Sequence, residues 1–359
     1  MRIRIVPRCV QKSIRVPFPR PAADRAAAFD GARGPVPDAT PWAFPASLQP
    51  KPGEVSFDLD AALASVVTVH AEIPEDAFTA SILGTERVGN GVAIRPDGVI
   101  LTIGYLITEA ETIWLTSSDG RVVPGHPLAY DFRTGFGLVQ PLGTLALRPL
   151  PRGPASELAP GDSVYVLGRG GRPHALEAEL VARREFAGYW EYLLDDALFA
   201  TPLHPEWSGA ALLDERGRLV GIGSLYVQEQ VGDEVVNGNM FVPTDLLAPI
   251  EDDLVTFGRS RDPPRPWLGL YAAESDGRLV VRGLVQNGPA DAAGVKLGDA
   301  IADVAGVRVA SLAEFLRRVW SLGPAGTSIP MTVARGAGVV SVRIASGDRQ
   351  DYLRKPSLQ

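Results

Sequence analysis

At 359 residues the chain is longer than one compact core usually occupies, and 45% apolar residues supply enough core for two or three domains. Its formal charge is −7, and outside the N-terminus the basic residues form no extended cluster, which argues against nucleic acid or another polyanion as a partner. Cys9 is the only cysteine, so no intrachain disulfide can form, and the four histidines show no ligand-like spacing with each other or with Cys9; neither a metal nor another cofactor is expected.

No apolar run reaches the roughly 18 residues that a membrane-spanning helix needs, so no membrane span is expected. The first 23 residues contain Arg2, Arg4, Arg8, Lys12, Arg15 and Arg20, no acidic residue, and Pro7, Pro17, Pro19 and Pro21. This composition lacks the uninterrupted apolar core of a secretory signal, and the expectation is a cytoplasmic protein, or a periplasmic one if the true start lies upstream. Ten of the 31 prolines precede residue 54, so residues 1–56 read as a Pro/Arg-rich extended arm. Trp42 and Phe44 on it can dock onto a barrel or a neighbouring subunit, or cover local apolar surface.

From residue 57 the texture changes to short β-rich runs punctuated by Gly, Pro, Asp and Asn. Ser65 to His70, Gly91 to Ile94, Val99 to Thr102 and Thr112 to Thr116 predict one all-β barrel, with His126 in a loop-like Gly-His-Pro. Ser163 to Leu167, Leu176 to Ala182, Ala210 to Leu213 and Leu219 to Ile222 predict a second, so that 57–256 forms a double-barrel unit. Asp195 and Asp196 read as turn or surface charges. Residues 257–265, with Gly258, Pro263 and Pro264 among charges, make a stiff linker. Beyond it, Pro289 and Gly294 frame a short helix, and Ser311 with Glu314 caps a longer one whose Leu312, Phe315, Leu316 and Val319 share a face. A third domain over 266–347 and a tail over 348–359 follow.

Three separated segments carry a resemblance. GNGVAIRPDGVILTIGYLI (Gly89 to Ile107) is similar to a glycine-rich strand, PDG turn and ILT strand leading into TNAHVV; DGRVVPGHPLAYDFRTGFGLV (Asp119 to Val139) is similar to the stretch containing TDLAVL; HPEWSGAALLDERGRLVGIGS (His204 to Ser224) is similar to NPGNSGGPLL and its sequel. Their order and spacing identify the chain as a member of the HtrA/Deg serine-protease family. The C-terminal PWLGL (Pro266 to Leu270) and GPADAAGVKLGDAIADVAGVRV (Gly288 to Val309) resemble the PDZ domain of the same family. The resemblance implies a mainly β chain, a trypsin-like double β-barrel followed by one PDZ domain, and assembly as a homotrimer through the protease domain.

Carried over residue by residue, the resemblance keeps Ser208 at the nucleophile but places Tyr105 at the histidine and Gly135 at the aspartate. Glu206 stands where the family has the glycine whose amide faces the oxyanion. Serine hydrolysis needs a base on the hydroxyl, a carboxylate orienting that base, and oxyanion donors. A tyrosine with an ordinary pKa of about 10 is a donor rather than a base near neutrality, and glycine orients nothing. The implied function is therefore a pseudoprotease that binds or scaffolds proteins. Leu268, Gly269 and Leu270 would receive peptides or protein C-termini in the PDZ groove. Two readings compete with it. One is an active serine endopeptidase whose base is supplied by His204, four residues before Ser208, or by a neighbouring subunit; the other is a structural subunit beside an active paralogue. Ser208 also has a plain geometric role, a small residue at a tight turn before Gly209.

Overall fold

The computed structural model describes residues 42–231 and 234–355. Cys9, the basic run and the first 41 residues of the expected arm lie outside the described residues. The described part of the arm docks. Phe44 donates its amide to the Pro173 carbonyl at 2.9 Å, and Phe44 and Leu48 pack against an apolar core of the second barrel.

The short helix α1 (Leu59–Leu63), capped by the Asp58 carboxylate on the Ala61 amide, leads into the first barrel. Its strands are β1 (Val66–Glu72), β2 (Glu86–Ala93), β3 (Ile100–Ile103), β4 (Thr112–Ser117), β5 (Val122–Tyr130) and β6 (Phe136–Pro141), with the single turn α2 (Ala80–Leu83) between β1 and β2. They close in the order β1-β2-β3-β6-β5-β4. His126 lies inside β5, opposite Gln140, rather than in a loop: the ladder to β6 carries the chain through Gly125 and Pro127.

The second barrel consists of β7 (Ser163–Leu167), β8 (Leu176–Gly188), β9 (Tyr192–Thr201), β10 (Ala211–Leu213), β11 (Leu219–Val231) and β12 (Glu234–Pro243), and closes as β10-β11-β12-β9-β8-β7. Two closed barrels leave no open strand edges among their twelve strands. The first barrel's apolar interior is continuous with part of the second, from Val69, Leu101 and Phe136 to Tyr192 and Phe199. Asp195 and Asp196 sit in strand β9, where pairing with β8 continues past them, and both charges are exposed.

Helix α3 (Glu251–Phe257) ends at Gly258, and the chain passes to a third unit with its own core. Its sheet, in the order β13-β14-β15-β17-β18, comprises β13 (Leu270–Ser275), β14 (Arg278–Leu284), β15 (Ala300–Val304), β17 (Ser328–Arg335) and β18 (Gly338–Ala345), and a short β16 (Val307–Arg308) pairs with β15. Two helices accompany it, α4 (Pro289–Ala292) and α5 (Leu312–Trp320). The Ser311 hydroxyl accepts from the Glu314 amide at 3.1 Å, while the Glu314 carboxylate accepts from Ala310, one residue earlier than a reciprocal box would place it. Leu312, Phe315, Leu316 and Val319 are all buried on one face of α5.

Residues 348–355, expected as a tail, pack between the units. The Tyr352 ring lies 4.5 Å from Trp267, and the Arg354 amide donates to Glu109 at 2.9 Å. An aromatic contact at one end and a buried carboxylate at the other hold this segment down.

Candidate functional site

Ser208 lies in the turn between β9 and β10, and β2 of the first barrel holds that turn. The Asn90 amide donates to the Ser208 carbonyl at 2.7 Å, and the Asn90 side-chain amide donates to the same carbonyl at 3.0 Å and to that of Glu206 at 2.7 Å. Asn90 Oδ1 in turn accepts from the Arg169 amide at 2.7 Å. Asn90 is fully buried, so every one of these bonds replaces water that cannot reach it. Sequence reasoning passed over Asn90, although the flanking glycines of GNG were a signal: a Cβ on Gly89 would stand 2.7 Å from the Ser208 carbonyl oxygen.

Tyr105 follows β3 in a 3-10 turn, Gly104–Leu106, and its hydroxyl lies 2.7 Å from Ser208 Oγ and 2.8 Å from the Ser224 carbonyl. The carbonyl can only accept, so the single phenolic proton goes to Ser224, and the serine proton must point at the phenol oxygen. Burial pushes the Tyr105 pKa further above its ordinary value of about 10. The serine therefore faces a neutral phenol, which is a very weak proton acceptor. Ser224 was not singled out from the sequence either.

Gly135 precedes β6 with φ +84°, a left-handed conformation suited to glycine. A Cβ there would stand 3.1 Å from the Tyr192 hydroxyl, which donates to the Thr134 carbonyl at 2.6 Å. The nearby carboxylate of Asp131 accepts from both the amide and the hydroxyl of Thr134, so it closes its own turn and orients no base.

His204 is fully buried, and both ring nitrogens are spent away from the serine. Nδ1 accepts from the Glu206 amide at 3.1 Å, which leaves Nε2 to carry the proton and donate to the His174 carbonyl at 2.8 Å. Desolvation pushes its pKa down to about 4. The same contact occupies the Glu206 N–H, so this amide faces an imidazole rather than a place where an oxyanion would form. The Glu206 carboxylate meets the Arg169 guanidinium at 2.5 Å, and Trp42 from the arm lies 4.0 Å from the His174 ring.

The neutral His204 makes stability depend on pH. Its folded pKa lies below the ordinary 6.5, so the unfolded chain binds the proton first as pH falls from about 6.5 to about 4, and stability is lost through that window. Guanidinium titrations at pH 7 and pH 4.5 should show the wild type losing roughly 2 to 3 kcal/mol more than a His204→Asn variant. Equal losses would contradict a buried neutral imidazole.

In the third unit the amides of Leu268, Gly269 and Leu270 converge on one carboxylate. It belongs to Glu191 in the β8–β9 turn: Gly269 donates to Oε1 at 2.8 Å, Leu268 to Oε2 at 3.0 Å, and Leu270 to Oε1 at 3.3 Å. Nothing in the sequence around Tyr-Trp-Glu-Tyr signalled this residue. Among the described residues no three His, Cys, Asp or Glu side chains gather as a metal site, and no helix is long and apolar enough to cross a membrane.

Comparison with known proteins defines the class. The trypsin-like peptidase domain family matches residues 89–222 and the PDZ domain family matches residues 266–345. The chain is a trypsin-like peptidase domain followed by a PDZ domain, homologous to the HtrA, DegP and DegS serine endoproteases. It is 27% identical to Protease Do-like 1, chloroplastic, of Arabidopsis thaliana, over 76% of this chain and 66% of that protein. With Serine endoprotease DegS of Salmonella typhimurium it shares 26% identity over 80% and 84%, and with Periplasmic serine endoprotease DegP of Escherichia coli K12 23% over 72% and 56%. It thus spans about half to two thirds of the length of several curated relatives. The fold also matches the HtrA-type protease AlgW with tripeptide, at TM-score 0.50 and 19% identity over 83% of this chain and 97% of that one.

Proposed function

We propose that this chain is an HtrA-type pseudoprotease, a protein that binds peptides or partner proteins through its PDZ domain and does not hydrolyse amides. The observation that carries the reading is the pair of hydrogen bonds on Tyr105: among the described residues, the side chain hydrogen-bonded to the Ser208 hydroxyl is a neutral phenol whose own O–H donates to the Ser224 carbonyl. Two further features support it. The Glu206 amide is turned to His204, and both nitrogens of His204 are occupied, so the one histidine in the serine's loop cannot serve as the base. Removing the base from a well-studied serine protease costs on the order of a millionfold in rate, and losing one oxyanion donor costs about 100 to 1000-fold.

The test is incubation of the full chain with unfolded casein and with a serine-directed fluorophosphonate. The expected result is casein cleavage at background and no labelling of Ser208. Labelling or cleavage that disappears in Ser208→Ala would overturn the proposal.

A further inference from the structure

We propose that the β8–β9 hairpin is an internal ligand of the PDZ groove, and that a peptide with a free α-carboxylate can enter only when the hairpin withdraws. This rests on the reading of the PDZ domain as a peptide-binding module. A strand-adding groove recognises its ligand by a carboxylate on loop amides, an apolar side chain in a pocket, and main-chain pairing along an exposed strand edge. The hairpin supplies the first two. Glu191 presents its carboxylate to the amides of Leu268, Gly269 and Leu270. Two residues on, Leu193 is buried in the same apolar cluster as Leu268, Leu270, Phe315 and Leu316, and Ala187, its cross-strand partner, packs against that cluster. Arg317 on α5 then clasps both strands through Glu185 and Asp195. Meanwhile β13 is the terminal strand of its sheet, and its outer edge has no strand partner among the described residues.

The contact is built so that it can be exchanged. Glu191 adopts φ +61°, a left-handed conformation that disfavours a non-glycine residue, and burial pushes its carboxyl up to about 7 despite the three amides and the Arg349 charge nearby. A hairpin held only for stability would gain from glycine at this turn. Glutamate at a strained position, with its charge aimed at three amides, instead points to the groove as the reason for the residue. An external chain terminus would offer the same charge without the strained turn. Docked and open states then compete, and the apparent peptide affinity is reduced by the fraction of molecules that are open.

The test uses the full chain, Glu191→Gly, which suits the turn's backbone and deletes the carboxylate, and Arg317→Glu, which repels Glu185 and Asp195 without touching the loop. Hydrogen exchange of the 268–270 amides reads the docking. Fluorescence anisotropy reads binding of a labelled decapeptide pool randomised at its last four positions, with free or amidated C-termini. The expected result is exchange at least tenfold faster in both variants, free-carboxylate pool binding at least tenfold tighter than wild type, and no binding of the amidated pool. Unchanged exchange, or measurable pool binding that is equally tight in wild type and variants, would overturn the internal-ligand proposal. Faster exchange with no peptide bound by any form would uphold the internal ligand and instead remove peptide binding from the proposed function.

Discussion

Putting His and Asp back at positions 105 and 135 is expected to leave casein hydrolysis at background, and adding Glu206→Gly to that pair is expected to raise the rate by about 100 to 1000-fold. The Tyr105→His, Gly135→Asp variant restores a base and a carboxylate but leaves the Glu206 N–H bonded to His204 Nδ1. A tetrahedral oxyanion would then lack one of its donors. Glycine at 206 restores the backbone freedom that lets the amide turn. Asp at 135 also enters a left-handed position 3.1 Å from the Tyr192 hydroxyl, which asparagine and aspartate tolerate better than other side chains. Initial rates of the double and triple variants on casein settle the matter; a double variant as fast as the triple would show that the oxyanion loop is not a limiting defect.

Gly209→Ala is expected to cost at least about 3 kcal/mol and to lower the melting temperature by roughly 6 to 12 °C, or to prevent folding. An added Cβ would lie 1.9 Å from the Asn90 carbonyl oxygen and 2.6 Å from Thr102 Oγ1, with φ at +73°. Relief would require moving backbone. That carbonyl is itself held by the Thr102 hydroxyl, and the Gly209 amide by the Gly223 carbonyl, so neither side yields without breaking a buried hydrogen bond. Gly53→Ala, with nothing within 4 Å, is the control and should shift the melting temperature little. A Gly209→Ala protein as stable as that control would mean that the two barrels do not meet as tightly here as these distances require. The glycine after Ser208 thus has a structural duty that survives whether or not the serine reacts.

Much of the architecture was legible in the residues because it rests on local rules. Alternating apolar positions in Val66–Glu72 and the Ser311–Glu314 cap are short-range signals, and each answers to one element. The motif order around Gly89–Ile107 and His204–Ser224 carried the family, since spacing in a barrel fold is set by strand and turn lengths. His126 was misjudged as a loop residue because Gly and Pro are punctuation in isolated sequence, whereas a barrel strand paired to β6 absorbs both.

Residue identities at 105, 135 and 206 already said that a base, its carboxylate and a glycine were missing, because those are statements about chemistry at single positions. Where the lost functions went is a matter of contacts made in the folded chain, most of them between residues far apart in sequence. That the Tyr105 proton goes to Ser224, that His204 turns to His174 and Glu206, and that Glu191 fills the amides of residues 268–270 each depends on residues 2 to 119 positions apart brought within 3.5 Å. Hydrogen-bond direction and burial are properties of packed surfaces, and no pattern of residue types along one strand encodes them.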